Sequence, residues 1–335
     1  MTNIRDVSQL AGVSVATVSR AFSDPDKVAE KTLKNVRRAA AQLNYTPNSL
    51  AQIFRTKKTN TVVVIVPDLS NAFFSRVLSG IEKVASAAGL SLLLANSHDQ
   101  SEIEKTCIGM VKANRADGII QLGARTLEML AQGEATKDIP FVHAIEAPLN
   151  GLTPGVGIDN VQAAQSIVDH LIGLGHKRIS VIAGQMESEI TLNRLEGYKR
   201  ALAASGIAFS PDRVMHNSFS LKGGAVACES LISSGADFSA LFCMSDEMAI
   251  GAMRTLKERG FVVPESVSVV GFDNIEMGEF TSPALTTVTQ PARRIGEKAM
   301  ALLLERLNGQ SSQDTHHHLL PAELVIRESA VTATV

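Results

Sequence analysis

The chain of 335 residues has only three cysteines, Cys107, Cys228 and Cys243, scattered in no metal-ligand spacing. That excludes a disulfide-stapled scaffold and a zinc ribbon, and fits thiols kept reduced in a cytoplasmic protein. Long apolar runs are missing as well. The longest, such as residues 61–66 and 90–95, fall far short of the roughly 18 residues that cross a bilayer. The opening Met1-Thr2-Asn3-Ile4-Arg5-Asp6 lacks the basic, apolar and small-residue succession of a secretory signal. Catalytic signatures are absent too: there is no G-x-G-x-x-G after an apolar run, no G-x-x-x-x-G-K-[ST] and no G-x-S-x-G elbow. The expectation is a soluble, cytoplasmic chain that is not an enzyme and uses no cofactor.

What the sequence does have is core-forming material and an uneven charge. Hydrophobic residues make up 45% and charged residues 20% of the chain, which rules out wholesale disorder. At about 100–200 residues per domain the length suggests two or three domains. The formal net charge of -2 conceals a division. Residues 1–59 carry ten Lys/Arg against four acids, a net of +6, which leaves 22 bases and 30 acids, a net of −8, for the remainder. A small basic head on a large acidic body is the pattern of a nucleic-acid module joined to a domain that does not bind nucleic acid. An ordinary solvated surface that happens to be lopsided is the plainer alternative.

Within the head, Ile4, Val7, Leu10 and Ala11 recur at helical spacing, Gly12 suits a turn with positive φ, and Ser14 suits the N-cap of a second helix over residues 15–22. Val18 and Ala21 then face inward, Val13 plugs the space between the helices, and Val15, Ala16, Thr17, Ser19 and Arg20 face outward. This is a helix-turn-helix whose second helix would enter the major groove, although a purely structural helical hairpin carries the same apolar pattern. Arg20 can donate two hydrogen bonds to a guanine edge, Thr17 and Ser19 suit phosphates, and Val15 and Ala16 can touch only a thymine methyl. Asp24-Pro25 ends the pair, and a third helix carries Leu33, Val36, Ala40 and Leu43 on a core-facing stripe. Tyr45-Thr46-Pro47-Asn48 breaks that helix, and residues 49–56, with Leu50, Ile53 and Phe54, are too short to be a stable helix alone. A segment that orders only on DNA, with an apolar wedge in the minor groove, accounts for them.

From Thr61 onward short apolar runs (62–66, 90–94, 118–122, 141–145, 179–183, 240–243 and 267–271) alternate with helical patterns such as 75–88, 163–174 and 246–259. That alternation implies parallel sheets covered on both faces, with ligands outside the carboxyl ends of the strands. The residues just after the runs form a coherent set: Asp68, Asn71, Phe73 and Phe74; a loop reaching Arg194; Ser245 and Asp246; Asp273 and Asn274. Carboxylates and an arginine can hold vicinal hydroxyls, while Phe73, Phe74 and Phe219 can cover a flat ring or sugar face. Each also has a bland reading, the aspartates as helix caps and the phenylalanines as core. Gly157-Ile158-Asp159-Asn160 marks a turn or chain crossing, and Gly175-His176-Lys177-Arg178 reads as a helix-to-strand turn rather than a phosphate loop. His316-His317-His318 reads as a solvated segment and not a metal site, since adjacent residues in a strand cannot all face one ion. A periplasmic solute receptor is a further class, opposed by the basic head and the missing signal.

The run from Ile4-Arg5-Asp6-Val7 through Gly12-Val13-Ser14-Val15-Ala16-Thr17-Val18-Ser19-Arg20, and then Tyr45-Thr46-Pro47-Asn48, resembles the DNA-binding head of the LacI/GalR family of bacterial repressors. Cys243-Met244-Ser245-Asp246-Glu247-Met248-Ala249, Gly271-Phe272-Asp273-Asn274 and Pro283-Ala284-Leu285-Thr286-Thr287-Val288-Thr289-Gln290-Pro291 extend the resemblance almost to the end of the chain. It implies an all-α helix-turn-helix head at 1–47, a hinge helix and linker at 48–60, and a body at 61–335. The body would be α/β, like a type I periplasmic-binding protein, with two parallel-sheet lobes: an N-lobe at about 61–160 and 291–320, and a C-lobe at about 161–290 and 321–335. It further implies a homodimer on double-stranded operator DNA, with Ser14, Val15, Ala16, Thr17, Ser19, Arg20, Asn48, Ala51, Gln52, Phe54 and Arg55 at the DNA. Phe54 stands where the family usually inserts Leu between base pairs, and Gln52 where Arg is common. Asp68, Phe73, Phe74, Asp159, Arg194, Phe219, Asp246 and Asp273 would meet a small-molecule effector. Val64-Ile65-Val66-Pro67-Asp68 and Phe73-Phe74-Ser75 resemble the cytidine-repressor branch, which implies a nucleoside, with ribose or another sugar as the alternative.

Overall fold

The structure, a computed structural model, describes residues 2–46, 58–123, 125, 127–131, 139–145, 153–186, 188–310 and 317–333. The chain forms two compact units, Met1–Thr59 and Asn60–Val335.

In the first unit, helix α1 (Ile4–Ala11) starts with a capping box in which Asn3 and Asp6 satisfy each other's backbone amides. It stops at Gly12, whose φ of 65° is left-handed and would cost any other L-residue about 1–2 kcal/mol. Helix α2 (Val15–Ser23) starts at Ser14, whose hydroxyl accepts from the amide of Thr17 at 3.1 Å, and ends at Asp24. Helix α3 (Glu30–Gln42) closes the bundle. Val7, Val18, Ala21, Val36, Ala39 and Ala40 form the buried core, with Val13, Phe22, Leu33, Leu43 and Tyr45 packed around them. One expectation fails. Leu10, assigned by its spacing to the inward face of α1, is 51% exposed, because Val7 already fills the space between the helices and α1 is only two turns long.

The second unit begins with β1 (Thr61–Val66), α4 (Ala72–Ala87), β2 (Ser91–Asn96), α5 (Ser101–Lys112), β3 (Gly118–Gln121), α6 (Leu127–Ala131), β4 (Phe141–Ile145) and β5 (Gly155–Gly157). Then follow α7 (Asn160–Gly173), β6 (Ile179–Ala183), α8 (Glu189–Ala204), β7 (Val214–His216), α9 (Leu221–Ser233), β8 (Ala240–Cys243), α10 (Asp246–Glu258) and β9 (Ser268–Val270). The last elements are α11 (Glu276–Glu279), β10 (Thr287–Thr289), α12 (Ala292–Leu307), β11 (His317–Leu319) and β12 (Glu323–Val325).

Two parallel sheets result. The first has the order β11-β5-β4-β3-β1-β2 and the second β7-β6-β8-β9, while β10 and β12 pair antiparallel. In β1 every residue after Thr61 is buried, and the strand feeds both faces of its sheet. Val62, Val64 and Val66 join Val77 and Ile81 of α4 and Ile295 and Ala299 of α12, whereas Val63 and Ile65 join Cys107 and Ile108 of α5. That period-two division is what a parallel strand covered on both sides requires. All three cysteines are buried and free, and burial pushes the Cys228 thiol up to about 12.

Two segments differ from their sequence reading. Arg194 lies not on a loop but inside helix α8. His317 and His318 are not a solvated stretch: they open β11, which pairs with β5 in the register His317↔Gly155. Adjacent partners on the neighbouring strand, not local polarity, decide that segment. His176, in the turn between α7 and β6, is a buried staple. Its Nε2 donates to the carbonyl of Val331 at 3.0 Å, and its Nδ1 meets the Ser239 hydroxyl at 2.9 Å.

Candidate functional site

In the head the candidate surface is the outer side of α2. Ser14 is spent on capping, and its hydroxyl also meets that of Thr17 at 2.9 Å. Val15, Ala16 and Arg20 are exposed, while Thr17 and Ser19 are half-buried. Among the described residues none engages the guanidinium of Arg20, which is free to donate to a base edge. Asn48, Ala51, Gln52, Phe54 and Arg55 lie outside the described residues.

In the body a cavity of about 700 Å³ lies between the two sheets. It is built from strand ends. Pro67 and Asp68 follow β1, Leu122 and Gly123 follow β3, Ile145 ends β4, Ser218 and Phe219 follow β7, Ser245 follows β8, Asp273 follows β9 and Gln290 follows β10. Asp68, Phe73, Phe74, Arg194, Phe219 and Asp273 all line it. Asn71 caps α4 and accepts from the amide of Phe73 at 2.9 Å, so the helix start presents Phe73 and Phe74, whose rings lie 5.9 Å apart. Phe219 reaches the cavity because residue 184 is glycine: a Cβ there would fall 2.1 Å from the phenyl ring.

Arg194 is 3% exposed and held on every side. Its Nε donates to Asn160 Oδ1 at 2.9 Å, its Nη1 donates to the carbonyl of Met244, and its Cζ stacks 3.6 Å from the centre of the Phe272 ring. Its Nη2 lies 3.7 Å from Asp273 Oδ1, an oxygen that also accepts from Gln290 Nε2 at 2.6 Å. Burial raises the Asp273 carboxyl to about 6, against the opposing pull of Arg194 and Gln290. Arg125, on the opposite wall, donates to Glu104 Oε2 at 3.2 Å and to the Asp99 carbonyl at 2.6 Å. Among the described residues, both cavity arginines are thus engaged by protein acceptors, and four carboxylates, Asp68, Asp99, Glu189 and Asp273, share the lining with them.

Two residues expected at the effector lie elsewhere. Asp246 is fully buried beneath the cavity, where Oδ1 accepts from the Thr287 hydroxyl at 2.5 Å and Oδ2 from the Ile275 amide at 2.8 Å. Its neighbour Ser245 takes the lining position. Burial first, and then the charge of Asp273, push the Asp246 carboxyl well above its ordinary range. Asp159 caps α7, accepting from the Gln162 amide at 2.9 Å, and borders a separate cavity of about 280 Å³. Sequence reasoning missed Asp99 and Arg125, which belong to no motif, and named Gln290 only within the run that extends the family resemblance.

Among the described residues no group of three or more His, Cys, Asp or Glu could hold a metal ion, and no helix is long and apolar enough to cross a membrane.

A helix-turn-helix unit with a free arginine, followed by a two-sheet body enclosing a cavity lined by aromatic rings and carboxylates, defines a DNA-binding regulator with a ligand-binding domain. The family model described as "Bacterial regulatory proteins, lacI family" matches residues 3–48, and "Periplasmic binding proteins and sugar binding domain of LacI family" matches residues 59–328. The chain belongs to the LacI family of transcriptional repressors. It is 38% identical to the HTH-type transcriptional repressor CytR of Escherichia coli (strain K12), over 97% of this chain and 95% of that one. It is 33% identical to the HTH-type transcriptional repressor PurR of Vibrio atlanticus (strain LGP32), over 99% of each. These relatives are repressors rather than enzymes. Among solved structures, the lac repressor dimer bound to operator and the anti-inducer ONPF superposes with a TM-score of 0.88 at 28% identity, over 98% of this chain and 99% of that one. The transcriptional regulator CelR–cellobiose complex gives 0.74 at 30% identity, over 98% and 100%.

Proposed function

We propose that the chain is a cytoplasmic, homodimeric repressor whose head, residues 1–47, reads operator half-sites and whose body responds to a neutral nucleoside. The observation that carries the effector reading is the lining of the large cavity. Phe73, Phe74, Phe219, Ile145 and Ile190 offer flat and apolar cover for a base, and Asp68 and Asp273 offer acceptors for ribose hydroxyls. With Arg125 and Arg194 already engaged and four carboxylates nearby, a phosphate would meet repulsion without a free cationic partner among the described lining residues. A nucleoside therefore fits better than a nucleotide. The resemblance of residues 64–68 and 73–75 to the cytidine-repressor branch supports a nucleoside, whereas the similarity to the CelR–cellobiose complex supports a sugar as the second reading.

The DNA reading rests on the exposed Arg20, Val15 and Ala16 beside the capped start of α2. Residues 48–60 then act as the hinge, with Phe54 as the minor-groove wedge. Effector closure of the lobes alters how readily that hinge orders on DNA, and a coupling of roughly 1–3 kcal/mol shifts operator affinity about 5–150-fold. The dimer covers apolar surface left open on the body, including Leu93 and Leu94 on the edge strand β2 and Phe280, which is 77% exposed.

A thermal-shift screen of the full chain against nucleosides, nucleobases, nucleotides and sugars tests the effector class. A nucleoside at about 100 times its Kd should stabilise the body by about 2.7 kcal/mol. A shift with cellobiose or ribose and none with any nucleoside decides for the sugar.

A further inference from the structure

Asp273 and Asn274 are consecutive non-glycine residues with positive φ, 108° and 50°, a conformation that residues bearing a Cβ seldom adopt. Their surroundings impose it. The Asp273 amide donates to the Val288 carbonyl at 2.9 Å. Asn274 Nδ2 donates to the Thr289 hydroxyl at 2.6 Å, and Asn274 Oδ1 accepts from Arg327 Nη2 at 2.8 Å. With those groups used, the Asn274 carbonyl is left to face the other lobe, where Arg76 Nη1 donates to it at 2.6 Å.

Arg76 belongs to α4, the helix whose first turn supplies Phe73 and Phe74 to the cavity. The start of α4 makes a second contact with the four-stranded lobe: the Ala72 amide donates to Glu247 Oε1 at 3.3 Å. Arg76 itself does not line the cavity. Its charge nevertheless acts on Asp273, in the same direction as that of Arg194. One side of the two-residue turn therefore meets the cavity contents through the Asp273 carboxylate, and the other meets the first lobe through a backbone oxygen.

We propose that Arg76 is a positioning residue that latches the two lobes together through the Asp273–Asn274 turn, so that effector retention depends on a side chain outside the cavity. A ligand that engages Asp273 steadies the turn and keeps the Asn274 carbonyl aimed at Arg76. The latched arginine in turn keeps the Phe73–Phe74 end of α4 over the ligand. The effect on retention rests on the effector reading above, whereas the latch between the lobes does not.

The test compares full-length wild type, Arg76→Met and Arg76→Lys. Amide hydrogen exchange without ligand is the first readout. Arg76→Met should speed exchange about threefold or more at residues 72–73 and 274–275, and not at the distant α9. Dissociation of cytidine and of adenosine is the second readout. Arg76→Met should release whichever nucleoside binds about tenfold faster, equivalent to about 1.4 kcal/mol, and Arg76→Lys, which keeps a charged donor, should recover most of that loss. Unchanged exchange at residues 72–73 and 274–275 overturns the latch. Faster exchange with an unchanged nucleoside dissociation rate overturns its role in retention. If wild type binds neither nucleoside while the exchange difference is present, the latch stands and the nucleoside reading falls.

Discussion

Two arginines show how differently the head and the body are built for recognition. Arg20 is exposed on a small three-helix unit, and among the described residues nothing holds its guanidinium. Arg194 is 3% exposed in the body and is fixed by Asn160, Met244, Phe272 and Asp273. In the proposed reading the head recognises DNA with what its fold leaves unused. DNA must come to it as a large, flexible surface that completes the hydrogen bonds. The body recognises with groups aimed before the ligand arrives, which spares a small molecule the cost of ordering them. The same residue type is a loose donor in one unit and part of the framework in the other.

That contrast fixes what each substitution should do. Arg194→Ala should have the largest effect, because it strips the partner from buried Asp273 and empties the stacking position on Phe272. A loss of about 3–5 kcal/mol in body stability is expected, together with loss of effector response, and both are measurable by denaturant unfolding and ligand titration. If Arg194→Ala leaves the unfolding midpoint unchanged, the pinned-framework description is wrong.

Asp273→Asn removes the other member of that buried pair and should change how stability depends on pH. The folded carboxyl is raised to about 6 from an unfolded value near 3.8, so the wild-type fold binds its proton more tightly than the unfolded chain does. This group therefore favours the folded state below about pH 4, and that advantage is lost as pH rises through about 6. Relative to wild type the variant should gain about 1–3 kcal/mol between pH 4 and pH 8, set against a pH-independent cost of leaving buried Arg194 without its carboxylate, while effector binding stays weak throughout. Thermal unfolding from pH 4 to 8 measures this, and a gain that grows toward acid would refute it.

Arg20→Ala should move stability least, by less than about 0.5 kcal/mol. It should still cost about 1–3 kcal/mol of preference between operator and scrambled duplex. Salt-dependent binding to any DNA should persist. Equal loss on both duplexes would make Arg20 a phosphate contact and bring it closer to the head's other cations.

Seven of the described strands were legible because a parallel strand covered on both faces needs an apolar run, and residues 62–66 and 240–243 are such runs. The three-residue strands β5, β7, β10, β11 and β12 offer too short a pattern. Helix α8 was not legible either. Its buried face is made of Thr191, Arg194, Gly197, Tyr198, Ala201 and Leu202, so the helical period is present but carried partly by residues that score as polar or small. The site was legible wherever a side chain follows a strand and turns outward, as with Asp68, Phe73 and Asp273. Asp246 has the same local context but turns inward, toward Thr287, 41 residues further along the chain. Asp159 satisfies its own helix. Local sequence names the carboxylates at strand ends. For Asp246 and Asp273 only distant partners decide which way the carboxylate points.

The pairing of β11 with β5 joins His317 to Gly155 across a long stretch of chain. During synthesis the edge of the first sheet therefore waits, open, until almost the whole polypeptide has left the ribosome. The four-stranded lobe waits as well, because Ser329 closes on Val269 and Val331 on His176. Premature termination between residues 157 and 317 should leave a nascent chain with an unprotected strand edge and a claim on chaperones.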